Sequence, residues 1–295
     1  MIETFLKQHG DYSAERRFSE LTTLKMGGPI RHYVKPHSFE DVKAIVTFLK
    51  AKGISFKVIG NGSNLACGSN VFEGVVISLK QLNAIEIEND VVYVEAGVMG
   101  PYLAGVLANE GLSGFEFAGG IPGTIGGMVY MNAGAYKKDM ASVVEEVIVL
   151  KKDEIVTLKK ADLAFAYRHS LLQEHPHWVV LACRLKLERG DPESIRNLMN
   201  DRLQRRLSSQ PLDKPSAGSC FRNPEGYFAW KLIDELGYRG HTYNGVMVSP
   251  KHPNFLINND KGTAEDYLAL ALDIQQKVKD KYQLKLIMEV EKFNC

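Results

Sequence analysis

The sequence predicts an α+β protein of two domains, residues 1–190 and 191–295, and three observations carry that expectation. Strand patterns punctuated by turn residues fill the first 190 residues, with few helices among them and no regular strand–helix alternation. Eight of the 26 glycines crowd into residues 111–136. A helix start at Asp191-Pro192 then opens a second, shorter series of helices and strands. A chain of 295 residues can bury a core in each part.

Taken in order, residues 24–36 begin with a Gly-Gly-Pro turn and continue as a short strand. Ser38 and Asp41 form an S-x-x-D start signal, and Val42, Ile45, Val46 and Leu49 recur at helical spacing, predicting a helix over 39–52. Residues 54–59 read as a strand that enters Gly60-Asn61-Gly62-Ser63-Asn64-Leu65, with another strand at 75–79. Residues 84–88 and 91–95 alternate across Asn89-Asp90 as a hairpin. Pro101 suits a first helical turn, and the helix over 102–109 is stopped by Gly111. Strands at 143–150 and 154–158, a helical turn at 161–164 and a strand at 178–187 complete the first domain.

In the second domain Ile195, Leu198, Met199, Leu203 and Leu207 mark one apolar helix face ending at Pro211. A helix over 228–236 is stopped by Gly237, and strands follow near Val246 and at 255–257. Thr263 with Asp266 opens a helix to about Tyr282, and a last strand covers 284–291.

The glycine segment is too apolar for a solvated linker: Phe115, Phe117, Ile121, Ile125, Met128, Val129, Tyr130 and Met131 stand between the glycines. A buried loop is expected, and buried amides need partners. Amides lining a Gly-rich turn can hold phosphate oxygens or a planar polar ring, the alternative being a purely structural turn. The loop at 60–65 likewise suits a pyrophosphate, with a plain hairpin turn as the alternative. Neither G-x-x-x-x-G-K-[ST] nor a strand-to-helix G-x-G-x-x-G occurs, so a dinucleotide held here requires a non-Rossmann fold.

Composition narrows the partners. A net charge of +1 recommends no nucleic acid and leaves room for a small anionic ligand. The N-terminus has no positive start with an apolar core, and no apolar run approaches 18 residues, so a cytoplasmic protein with no membrane partner is expected. Cys67, Cys183, Cys220 and Cys295 are scattered, and the His175-Pro176-His177 pair reads as a surface loop, so no disulfide framework and no metal site is expected.

The motifs GNGSNL (60–65), GFEFAGGIPGTIGG (114–127), NAGAY (132–136), AYRHS (166–170) and GSCFRNP (218–224), with Glu289 near the C-terminus, closely resemble the UDP-N-acetylenolpyruvoylglucosamine reductases. That family is also called the UDP-N-acetylmuramate dehydrogenases, and the likeness runs from about Thr22 to Glu289. The resemblance implies a two-subdomain FAD-binding fold of the non-Rossmann, vanillyl-alcohol-oxidase (PCMH) type, followed by a smaller α+β substrate domain. It implies noncovalent FAD, NADPH as electron donor, and a UDP-sugar substrate whose enolpyruvyl group is reduced for peptidoglycan synthesis. FAD would meet Gly60, Asn61, Gly62, Ser63 and Asn64 at its pyrophosphate, and Gly119, Gly120, Pro122, Gly123, Thr124, Gly126, Gly127, Asn132, Ala133 and Gly134 on its ring side.

Three catalytic residues carry over, and each suits the chemistry. Hydride addition to the terminal carbon of an enol ether conjugated to a carboxylate builds charge as an enolate, which must be held and then protonated. Arg168 is a permanent planar cation able to grip the carboxylate through two bonds. Ser219 would deliver the proton to the neighbouring carbon, since an enolate is basic enough to take one from a positioned hydroxyl. Glu289 would polarise or protonate the same intermediate, with a raised pKa if it acts as an acid. The family usually continues with an Arg after its Glu-Val pair, whereas this chain has Glu289-Val290-Glu291, so Glu291 is the alternative. Tyr167, Lys214, Arg222, Asn223 and His252 are the expected substrate contacts. The chain resembles the shorter branch of the family, lacking a tyrosine-bearing insert. The rival readings are an FAD-dependent sugar or alcohol oxidase, disfavoured by the lack of a histidine in residues 60–68, and a nonenzymatic flavin-binding module.

Overall fold

The computed structural model describes residues Met1–Cys295, and the chain divides into two compact units. The first comprises Met1–Ala14, His32–Asn61 and Glu73–Gln204, and the second Glu15–Arg31, Gly62–Phe72 and Arg205–Cys295. The domain limit expected from sequence at residue 190 does not coincide with these units: the helix Pro192–Ser209 passes from one to the other, and two early segments belong to the second.

The first unit is built around an antiparallel five-stranded sheet in the order Glu154–Lys159, Val144–Lys151, Val179–Lys186, Val91–Glu95, Ile85–Glu88. The expected hairpin at its edge pairs Ile85 with Val94 and Glu88 with Val91, and Asn89 takes a φ of 56° in the turn. A four-stranded sheet runs Gly10–Arg17, Pro29–Pro36, Phe72–Ser78, Phe56–Ile59, and its last two strands are parallel. The helix Phe39–Ala51 forms for the reason the sequence suggests: the Ser38 hydroxyl accepts from the Asp41 N–H at 3.1 Å, and Val42, Ile45, Val46 and Leu49 turn into the core. Burying those four side chains is worth about 1.5–3 kcal/mol each.

The glycine segment is not the loop expected. It holds a 3-10 turn over Glu116–Gly120 and a helix over Ile125–Tyr130. Its buried amides find partners in the fold: the Gly123 N–H donates to the Ile121 carbonyl, that of Ile125 to Val98 and that of Gly126 to Ala96, at 2.8, 2.8 and 2.9 Å. Phe115 and Phe117 pack edge to face with ring centres 5.3 Å apart, fully buried beneath it.

The second unit has its own core under the sheet Ser216–Ser219, Phe255–Asn258, Val246–Val248, Thr242–Tyr243. The helix Ala264–Tyr282 starts on the expected capping box of Thr263 and Asp266, and it buries Tyr267, Leu270, Ala271, Ile274 and Val278. Leu65–Cys67 pairs in parallel with Glu291–Phe293.

Two further expectations fail. Only Ile195 of the supposed apolar face of Pro192–Ser209 is buried, while Leu198, Leu203 and Leu207 are exposed. Besides Ile195 and the half-buried Met199, the helix docks through Arg202, whose guanidinium lies 4.9 Å over the Tyr136 ring while the Tyr136 hydroxyl donates to the Arg202 carbonyl at 2.9 Å. The last strand is Glu291–Phe293, not 284–291, because residues before it satisfy their backbone groups one by one against 220–222 and a Gln275 side chain.

A Cβ at Gly126 would come 2.9 Å from the Ala96 Cβ and 3.3 Å from its carbonyl oxygen, so this glycine is demanded by packing. Gly126→Ala should therefore destabilise the ligand-stripped protein by about 1–3 kcal/mol. An unchanged thermal midpoint would remove that role.

Candidate functional site

In the first unit the two glycine loops meet. The Asn61 amide donates to the Pro122 carbonyl at 2.8 Å, and a Cβ on Gly60 would overlap the Thr124 hydroxyl. Lys80, which the sequence reading missed, donates to the Asn61 side-chain Oδ1 at 3.1 Å and sets a cation at the loop. Its only sequence signal was its place just beyond the strand that pairs with Phe56–Ile59. Among residues 60–61 and 119–127 there is no carboxylate, and Gly127 is exposed, with only ordinary contact to the Thr124 hydroxyl, at 3.8 Å, where a Cβ would sit. Small hydroxyl and amide groups, glycines and one nearby cation form a donor set that fits the anionic pyrophosphate and the flat ring of FAD.

The turn holding Arg168 is wired to the end of the glycine segment. Ala166 and His169 exchange backbone bonds at 3.1 and 3.0 Å, and Arg168 between them takes a φ of 56°, a position usually given to Gly or Asn. Such strain costs of order 1–3 kcal/mol and is held in place by its surroundings. Arg168 donates to the Gly134 carbonyl at 2.8 Å, with its guanidinium 5.3 Å from the Tyr167 ring centre. Asn132, expected beside the cofactor, spends its carboxamide inside the fold: it donates to Asp139 and to the Ala166 carbonyl and accepts from the Ala141 N–H. It thus ties the Arg168 turn to the Gly134–Ala135 hairpin. Ala133 lies between them, its N–H on the Met128 carbonyl at 2.8 Å.

Glu116 anchors the entry to the glycine segment. Burial opposes its ionisation, but the Ser113 hydroxyl at 2.7 Å, the Gly114 N–H at 3.0 Å and the charge of Arg202 outweigh it and hold its pKa below the usual 4.5.

In the second unit Ser219 and Glu289 are neighbours through the backbone. Ser219 ends the strand Ser216–Ser219, where the register shifts by one residue and Gly218 sits at a φ of 80°. Such a bulge re-aims the side chain that follows. The next carbonyl, of Cys220, accepts the Glu289 N–H at 2.8 Å, and the Arg222 N–H reaches Ile287 at 2.9 Å. Glu291 instead donates its N–H to the Asn64 carbonyl, so of the two it is the Glu289 backbone that pairs beside Ser219. The Asn64 amide, expected at a phosphate, donates to the Glu289 carbonyl at 3.0 Å. Gly62 takes a φ of 61° and passes its carbonyl to the Thr23 N–H, and Ser63 between them is half-buried. The Cys220 thiol is fully buried, which pushes it up to about 12; a Tyr267 hydrogen bond opposes this and the charge of Glu289 adds to it.

The expected substrate contacts gather at the same end of this unit, Lys214 and Tyr167 excepted. Arg222 and Asn223 follow Phe221 directly, and the Asn223 side-chain Oδ1 accepts from the Ala229 N–H at 3.0 Å, at the start of the helix Ala229–Glu235. His252 packs edge-on against Phe255 at 4.9 Å and Trp230 at 6.5 Å, and burial lowers its pKa below 6.5. Lys214 lies in an exposed turn, and Tyr167 is exposed in the first unit.

Comparison with known proteins agrees with this geometry. The family described as FAD binding domain matches residues 30–159, and the one described as UDP-N-acetylenolpyruvoylglucosamine reductase, C-terminal domain, matches 210–293. The fold alone is shared with Phl p 4.0202, a glucose dehydrogenase, at a TM-score of 0.52 and 14% identity over 65% of this chain and 44% of that one. Fold, site and family matches together define an FAD-containing oxidoreductase. A UDP-N-acetylenolpyruvoylglucosamine reductase of Caldanaerobacter subterraneus subsp. tengcongensis is 42% identical over 92% of this chain and 89% of its own. The crystal structure of UDP-N-acetylenolpyruvylglucosamine reductase from Thermus caldophilus superposes at a TM-score of 0.81, with 31% identity over 96% of this chain and 98% of that one. The chain belongs to the UDP-N-acetylenolpyruvoylglucosamine reductase family. No helix is long and apolar enough to cross a membrane.

The depressed Glu116 pKa has a defined sign. Its stabilisation is complete above the unfolded value near 4.5 and disappears as pH falls through the lower folded value. In Glu116→Gln the thermal midpoint should therefore vary less between about pH 5 and pH 3 than in the parent chain. Equal slopes would show that this carboxylate is not held ionised by the fold.

Proposed function

We propose that this protein reduces the enolpyruvyl group of UDP-N-acetylglucosamine enolpyruvate to give UDP-N-acetylmuramate, a step of peptidoglycan precursor synthesis in the cytoplasm. NADPH is the electron donor. Residues 1–190 supply most of the FAD site and residues 191–295 most of the sugar-nucleotide site. The observation that carries this reading is the backbone bond that sets Glu289 beside Ser219, in a chain of this family.

Bound FAD would supply a hydride to the terminal carbon of the enol ether. Arg168 then holds the carboxylate as charge grows on it; the positive-φ turn and the Gly134 contact fix where the guanidinium points. Ser219, aimed by the Gly218 bulge, gives its proton to the carbon next to the carboxylate. Glu289 polarises the same enolate intermediate, or protonates it in place of Ser219. Lys214, Arg222 and Asn223 meet the diphosphate as cations and an amide, and Tyr167 lies against the sugar nucleotide. His252, with its lowered pKa, is neutral at neutral pH and acts as a hydrogen-bonding partner, not as a charge.

The half-reactions separate these roles. Ser219→Ala should leave anaerobic bleaching by NADPH nearly untouched while slowing reoxidation by the enolpyruvyl sugar roughly 10²–10⁴-fold. Equal losses in both would make Ser219 structural. Arg168→Lys keeps the charge and loses the two-pronged grip, so reoxidation should fall at least about tenfold, or ~1.4 kcal/mol. Wild-type reoxidation in that variant would sink the carboxylate role.

A further inference from the structure

We propose that Asn254 is a positioning residue for proton delivery, its carboxamide serving as the missing strand that holds the Ser219–Phe221 segment and, through it, the Ser219 hydroxyl. The inference rests on the reading of Ser219 as proton donor. Asn254 is 4% exposed and lies just before the strand Phe255–Asn258.

The regular ladder between that strand and Ser216–Ser219 ends at the pair Ser219 and Phe255. Beyond it, the Asn254 backbone carbonyl accepts the Cys220 N–H at 2.7 Å. The chain then turns away: the Ser249 hydroxyl accepts from the Lys251 and His252 N–H groups, and the Phe255 N–H bonds back to the His252 carbonyl. No backbone remains to pair with Phe221, and the carboxamide substitutes for one. Its Oδ1 accepts the Phe221 N–H at 3.0 Å and its Nδ2 donates to the Phe221 carbonyl at 2.8 Å.

On the opposite edge the same three residues are held by the Glu289 N–H on Cys220 and the Arg222 N–H on Ile287. Residues 220–222 are thus the middle strand of three, with a side chain for one neighbour. A carboxamide offers a donor and an acceptor at the spacing of a peptide group, which an ionised carboxylate or a hydroxyl does not. Phe221 is 1% exposed, so without the amide both its backbone groups would be buried and unpaired, at about 1–3 kcal/mol each. The segment would shift to recover partners, carrying the Ser219 hydroxyl with it. The Asn254 N–H also reaches His252 Nδ1 at 3.3 Å, so the expected substrate histidine depends on the same residue.

The test uses the FAD-loaded protein under anaerobic conditions, with bleaching by NADPH and reoxidation by UDP-N-acetylglucosamine enolpyruvate followed separately. Asn254→Ala should bleach at the parent rate within about twofold and reoxidise about a hundredfold more slowly, the scale of a ~1 Å misplacement. Should Asn254→Ala fail to fold, Asn254→Asp keeps the acceptor for the Phe221 N–H, and its reoxidation should slow by at least about tenfold. The decisive readout is the double variant with Ser219→Ala, because a residue that acts only through Ser219 adds nothing once the hydroxyl is gone. Reoxidation no slower than in Ser219→Ala alone supports the assignment. Fully multiplicative losses, or an equal fall in both half-reactions, overturn it. Parent-rate reoxidation in Ser219→Ala alone overturns both the proton-donor reading and this one; parent-rate reoxidation in the Asn254 variants overturns only this one.

Discussion

The arrangement of the second unit depends on one backbone hydrogen bond, from the Glu289 N–H to the Cys220 carbonyl. It joins segments about seventy residues apart in the chain and does so one residue from Ser219. Because both ends of the bond are main chain, neither side chain is consumed in making it. Ser219 and Glu289 are thereby brought to neighbouring positions on one edge. The Asn64 side chain closes the other face of the same strand through the Glu289 carbonyl, so the small-residue loop near the start of this unit and the carboxylate near its end share a support.

The glycine-rich segment solves a different problem, that of passing backbone through a core. Its amides at residues 123, 125 and 126 are satisfied by neighbouring carbonyls, and Gly126 leaves no room for a methyl group against Ala96. Part of the glycine density therefore answers to packing within the protein. Gly127, exposed and uncrowded, is where the remaining part can answer to a ligand. One stretch of sequence thus carries two demands that cannot be told apart by residue type.

Local signals were legible. The Ser38 and Thr263 caps, the hairpin across Asn89 and the core face of Phe39–Ala51 follow from patterns within a few residues, and the structure realises each. The motifs likewise announced the flavin fold and the family. What the sequence hid was where partners come from. The Leu198, Leu203 and Leu207 stripe looked like a buried face, yet the helix is held in part by an arginine on a tyrosine ring, a contact no periodicity reports. Residues 284–290 looked like a strand because they alternate, but they bond singly to a loop, a side chain and an isolated bridge. Asn64 and Asn132 read as ligand donors from their glycine-rich neighbourhoods, and each spends its amide on holding another candidate residue in place.

The second unit is assembled from three stretches of chain, Glu15–Arg31, Gly62–Phe72 and Arg205–Cys295. Its parallel pair joins Leu65–Cys67 to Glu291–Phe293, across more than two hundred intervening residues. During synthesis on a ribosome the two early stretches emerge long before their partners and must wait while the first unit's sheet forms between them. Contacts of such separation in sequence slow folding. The unit that carries Ser219 and Glu289 is therefore the last to be completed, and a nascent chain can own a finished first-unit sheet while the pairing of Leu65–Cys67 with Glu291–Phe293 does not yet exist.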